Sequence, residues 1–159
     1  MISSLMRKYI FCGIVTFVSL GLIYANISGK KQDQIHLSEA QQYAKATEYI
    51  NNNEFEQAQL LLVPLVEENP EQYEVVYMLG LTYSVSKDYM KAAPLLGKAL
   101  ALRPALYTDP QFTFRMGEVL FHLGYYDKAK EYFNQCRQLA DSEQYYQAMA
   151  QLLALMENQ

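Results

Sequence analysis

The chain has 159 residues, 51% of them hydrophobic, and a formal net charge of −4, which leaves room for one modest domain and a short appendage. Four basic residues (Arg7, Lys8, Lys30, Lys31) and no acidic ones fall in the first 31 positions, leaving nine basic against seventeen acidic residues downstream, a balance of −8. So acidic a domain repels phosphate backbones, which argues against nucleic-acid binding, and the two distant cysteines, Cys12 and Cys136, form neither a disulfide framework nor a metal-ligand spacing.

From Tyr9 to Ile27 the chain is uncharged, with Thr16, Ser19 and Asn26 as its clearly polar members. A helix of that length spans about 28 Å, close to the hydrocarbon thickness of a bilayer. Residues 1–29 therefore read as an N-terminal membrane anchor that meets lipid through residues 9–27. Basic pairs flank the run on both sides, and counting the terminal amine three positive charges precede it against two after, which slightly favours an inside N-terminus and a domain on the outer side. The competing reading is a cleaved signal, and hence an exported soluble protein, with Ile23-Tyr24-Ala25 as a poor cleavage site. The apolar run is longer than a signal requires. Residues 30–37 form a polar linker, and His36 there has no metal-ligating neighbour at useful spacing.

Beyond the linker, residues 38–159 carry a repeat. Ser38 and Gln41 form a capping-box pattern that opens the first helix. Ala58, Ala92 and Ala129 share one register, separated by 34 and 37 residues, each preceded by an aromatic: Phe55, Tyr89 and Tyr126. Twelve positions before each alanine lies a small residue (Ala46, Gly80, Gly117), and nine before it a large apolar one (Tyr49, Tyr83, Leu120). Four after it come Leu62, Leu96 and Phe133, then seven after it Leu65, Ala99 and Cys136. Small residues let antiparallel helices approach closely, and the apolar spacing gives each helix one buried stripe. Pro70 and Pro104 end the first two units, and Asp141 takes that place in the third.

These columns and this period resemble the tetratricopeptide repeat family, with repeats at about 39–72, 73–106 and 110–141. The resemblance implies an all-α solenoid of helical hairpins, here with one N-terminal transmembrane helix. The first repeat departs from the pattern at Gln42 and Lys45, where bulky apolar residues are usual. Pro64 and Pro94 fall inside second helices, where a bend is expected. Asp109-Pro110 reads as an N-cap with proline at the first helical position, after a loop lengthened by three residues. Residues 142–157 read as a capping helix whose inward face is Tyr145, Met149, Leu152 and Met156. Its other side, with Tyr146, Ala150, Leu153 and Ala154, is apolar enough to suggest self-association.

No phosphate loop, HExxH, CxxC or GxSxG motif occurs, and neither a cofactor nor catalysis is expected. His122 lies one turn after Glu118, which predicts a surface His–Glu contact rather than a catalytic pair, and Cys136 reads as a packing residue.

Function is expected on the first helices of the hairpins. Away from the packing columns they present Tyr43, Thr47 and Ile50, then Tyr77, Leu81 and Ser84, then Phe114, Glu118 and Phe121. An aromatic recurs at one register (Tyr43, Tyr77, Phe114), as a peptide groove would use it. Internal cover of that stripe by the linker or the last helix is the competing account. Family members that grip acidic chaperone tails use lysine, asparagine and arginine, and the matching positions here are Tyr43, Thr47, Met78, Gln111 and Arg115. Only Arg115 fits, so the resemblance implies an apolar or aromatic-rich protein or peptide partner instead. The sequence thus predicts a membrane-tethered adaptor that binds a partner protein in assembly of a cell-envelope complex; alternatives are a soluble chaperone-like factor or a structural subunit.

Overall fold

The structure, a computed structural model, describes residues 38–139 and 141–157. The expected anchor (1–29) and linker (30–37) lie outside the described residues. Among those described, no helix is long and apolar enough to cross a membrane. The chain divides into two compact units, Met1–Gln41 and Gln42–Gln159, and the description below concerns the second.

Helix α1 of this unit runs through residues 42–51. It is followed by α2 (Phe55–Glu68), α3 (Tyr73–Val85), α4 (Tyr89–Leu102), α5 (Pro110–His122), α6 (Tyr126–Gln138) and α7 (Tyr146–Glu157). Short 3-10 turns precede α5 (Pro104–Thr108) and α7 (Glu143–Tyr145). No strand occurs among the described residues. Within hairpins, α3 packs most extensively on α4 and α5 on α6; between hairpins, α2 meets α3 and α4 meets α5.

The sequence columns become the core. Ala46, Ala58, Ala92, Ala99 and Ala129 are buried, as are Leu62, Leu96, Phe133 and Cys136. Close approach explains the small column. A Cβ added at Gly80 would stand 3.0 Å from Leu96 Cδ2, and one at Gly117 would stand 2.5 Å from Phe133 Cε1. The larger phenylalanine in the third hairpin thus fills the space that its glycine vacates.

Each hairpin turns in the same way. The first helix ends in a left-handed residue at an equivalent position: Asn53 (φ 61°), Lys87 (φ 64°) and Gly124 (φ 82°). The following amide donates back to the helix, Glu54 to the Tyr49 carbonyl (2.8 Å), Asp88 to Tyr83 (2.9 Å) and Tyr125 to Leu120 (2.9 Å). The left-handed residue's own amide closes the inner bond, for example Lys87 to the Ser84 carbonyl at 3.1 Å. This is a Schellman closure, which satisfies helix-end carbonyls that would otherwise be orphaned.

Helices α2 and α4 run through Pro64 and Pro94 without interruption. Each proline withholds an amide from the carbonyl four residues earlier, at Leu60 and Met90. Those two residues are 74% and 75% exposed, on a side of the helix where water can take the missing donor's place. The lengthened loop before α5 is ordered as the 3-10 turn, which buries Leu106. Asp109 caps α5, accepting from the Phe112 amide at 3.0 Å. In α7, Met149 and Met156 are buried against Phe114, Leu120 and Phe133, whereas Tyr146 and Leu155 stay exposed.

The three helical glycines among the described residues, Gly80, Gly97 and Gly117, should respond differently to alanine. Gly117→Ala drives a methyl into the buried Phe133 ring and should lose about 1–3 kcal/mol. Gly97, with nothing within 4 Å of an added Cβ, should gain about 0.5–1 kcal/mol. Gly80→Ala should fall between them. Urea denaturation of the three variants measures the order.

Candidate functional site: a tyrosine-walled groove

The face expected to bind a partner does not form one continuous stripe. Tyr43 of α1 and Tyr73 and Tyr77 of α3 line a groove of about 570 Å³ that continues to the 3-10 turn before α5. Glu74, Arg103, Leu106 and Asp109 are also among its lining residues. Tyr73 and Tyr77 share a helix face because they lie one turn apart. Arg103 closes one side, its guanidinium 4.6 Å over the Tyr73 ring and its Nη1 donating to the Tyr73 hydroxyl.

The rest of the stripe is engaged internally. Thr47 turns its hydroxyl back to the Tyr43 carbonyl (3.0 Å). Ile50 and Leu81 pack against the main core, and Ser84 is buried. At the third hairpin Phe114 is buried beneath Tyr145, which stacks on it at 4.7 Å and 17°. Tyr145 therefore covers the stripe at this rung, whereas Tyr43 and Tyr77 line an open cavity. Phe121 is half-buried against Tyr126, at 5.7 Å between rings.

Arg115 is likewise committed. Its Nη1 donates to Glu118 Oε2 at 2.8 Å, and its guanidinium lies 5.6 Å from the Phe114 ring centre. The predicted His122–Glu118 contact is replaced by this pair, because a guanidinium three residues away on the same helix makes the stronger charge-assisted bond. His122 instead stacks on Tyr89, 4.2 Å away and 9° from parallel. Cys136 is fully buried, its Sγ donating to the Pro110 carbonyl at 3.4 Å, and burial pushes its thiol pKa up. Among the described residues no group of histidine, cysteine or carboxylate side chains could hold a metal ion.

Electrostatics in the groove favour the neutral phenols. Burial pushes the Tyr77 pKa well above its ordinary value, and the Asp109 carboxylate adds to the rise. Burial and then the Glu74 carboxylate raise Tyr43. The Tyr77 hydroxyl is buried and has no hydrogen-bond partner among the described residues. Arg103, Glu74 and Asp109 were not anticipated as groove residues. Tyr73, one turn from Tyr77, carried a legible signal; the other wall depends on how the three-residue insertion folds.

Stacked helical hairpins with a recurrent small-to-large packing pair define a helical repeat protein. Family models described as tetratricopeptide repeat match residues 43–107 and 86–152, and the chain belongs to the tetratricopeptide repeat family. Among solved structures it is similar to MamA of MSR-1 at 26% identity and a TM-score of 0.62, covering 73% of this chain and 66% of that one. The chain thus spans a little under two thirds of the MamA chain. It is also similar to the Sgt2 tetratricopeptide domain from Aspergillus fumigatus (18% identity, TM-score 0.61, covering 76% of this chain and 80% of that one). The first such domain of Spaghetti (RPAP3), bound to the HSP90 peptide SRMEEVD, resembles it at 17% identity and a TM-score of 0.59, covering 73% of this chain and 93% of that one. The latter two likenesses concern the fold alone. No curated protein sequence matches the chain.

The raised tyrosines give the fold an alkaline limit. The unfolded chain releases Tyr77's proton near pH 10.0, whereas the folded chain holds it to higher pH. Stability is therefore full below pH 10 and falls as pH rises above it. Tyr77→Phe removes that proton and should flatten the alkaline loss, read as a smaller decline in urea midpoint between neutral pH and pH 11.

Proposed function

We propose that this chain is a membrane-tethered adaptor that holds an apolar or aromatic-rich segment of a partner protein in the Tyr43–Tyr77 groove, in assembly of a cell-envelope complex. The observation that carries the reading is the groove of about 570 Å³ between α1, α3 and the turn before α5, walled by three tyrosines that the hairpin packing columns do not require. Aromatic rings offer large contact area at low entropic cost, and they dominate protein interfaces for that reason. The fold is one used for protein–protein interaction, and the Spaghetti domain was solved with a peptide bound. That peptide's acidic end finds no clamp at the matching positions here: Arg115 pairs with Glu118, and Tyr43 and Thr47 carry no charge.

The tether rests on the uncharged run from Tyr9 to Ile27, with the repeat domain on the outer side. A signal-cleaved, chaperone-like binder is the second reading, and it uses the same groove.

Full-length protein should capture partners that the Tyr43→Ala/Tyr77→Ala variant loses, with helical content by circular dichroism unchanged. Phe114 is left intact because truncating this buried ring costs about 3–5 kcal/mol in its own right. If the same partners survive the double change, the groove reading fails. Mass spectrometry of protein from its native host should find an N-terminus at Met1 or Ile2; a start after Ala25 would replace the tether with the cleaved form.

A further inference from the structure

We propose that the groove receives a cationic side chain, lysine or arginine, of the docking segment between the Tyr43 and Tyr77 rings. This rests on the groove reading above and adds the charge of the ligand. Phenol rings attract cations through their faces. The groove already shows the interaction from within, since the Arg103 guanidinium sits over Tyr73. Two carboxylates, Glu74 and Asp109, line the groove against that one guanidinium.

Both carboxylates act on the ring hydroxyls. Glu74 raises the Tyr43 pKa and Asp109 raises that of Tyr77, so each anion lies within electrostatic reach of a different wall. Asp109 spends one oxygen on the Phe112 amide, but its charge remains. An acidic ligand side chain would be repelled here. A wholly apolar one would strip water from the two carboxylates without replacing it, which is unfavourable. A lysine or arginine answers both conditions.

The wider charge distribution points the same way. Residues 42–72, which supply Tyr43, hold six glutamates and a single basic residue, Lys45. A one-sign field of this kind concentrates cations at a neighbouring cleft and speeds their encounter.

The test pans full-length protein in detergent micelles against a phage-displayed random peptide library, with the Tyr43→Ala/Tyr77→Ala variant as counter-selection. Synthetic copies of the selected peptides are then titrated against wild type, Glu74→Gln and Glu74→Gln/Asp109→Asn. Glu74 is exposed, and asparagine caps a helix about as well as aspartate, so neither change threatens the fold. Groove-dependent peptides should share a lysine or arginine set among apolar or aromatic residues. Their affinity should fall about three- to fivefold in the carboxylate variants, while copies with leucine replacing the cation are indifferent to those changes. Groove-dependent peptides that are neutral or acidic, or cationic ones indifferent to both carboxylate changes, overturn the inference and leave the groove reading standing. If no peptide depends on Tyr43 and Tyr77, both fall.

Discussion

The fold depends on the close approach of two antiparallel helices at a single small residue. Ala46, Gly80 and Gly117 each allow a facing helix to come close enough for Leu62, Leu96 or Phe133 to be fully buried. Once that contact is set, the remaining columns follow geometrically, because the alanines at 58, 92 and 129 lie one turn before those large residues and face the same interior. The Schellman closures keep the two helices of a hairpin at this separation by ending the first helix at the same register each time.

Packing of that kind occupies only part of each first helix, and the rest of its surface lies outside the packing columns. The available surface is not uniform along the stack. In the first two hairpins the tyrosines face a groove; in the third, Tyr145 stacks on the equivalent aromatic and the buried methionines of α7 complete a second core. The C-terminal helix thus covers the third hairpin, and the turn before it covers the aromatic ring there. Arg115 and Glu118, which lie on that covered end, satisfy one another.

Much of the architecture was legible in the residues because it repeats. The small-to-large columns, the Asp109 cap and the inward methionines of α7 each follow from a local spacing rule. The left-handed turns were not legible. Glycine at 124 and asparagine at 53 tolerate a positive φ without fixing a turn by themselves, and nothing about Lys87 announces one; there it is imposed by the hairpin geometry. The groove was half legible. The recurrent aromatics at Tyr43 and Tyr77 pointed to it, but Arg103 and Asp109 enter through a turn formed by an insertion, which has no counterpart in the other repeats. Phe114 looked equivalent to Tyr43 and Tyr77 because register alone cannot show that a residue thirty-one positions later will stack upon it.

The unequal sizes in the packing pairs have a consequence for how the chain finds its own order. The three turns are alike, so the turns by themselves would tolerate any second helix beside any first one. The pairs would not. Phe133 has room only beside a glycine, and Ala46 in that place would meet the ring with a methyl group. Setting α4 against α5 in the manner of a hairpin would leave Leu96 facing a space shaped for an aromatic ring, and the void would lose contacts at every wall. Side-chain volume therefore works as an address for each helix, steering the nascent stack away from exchanged or skipped hairpins.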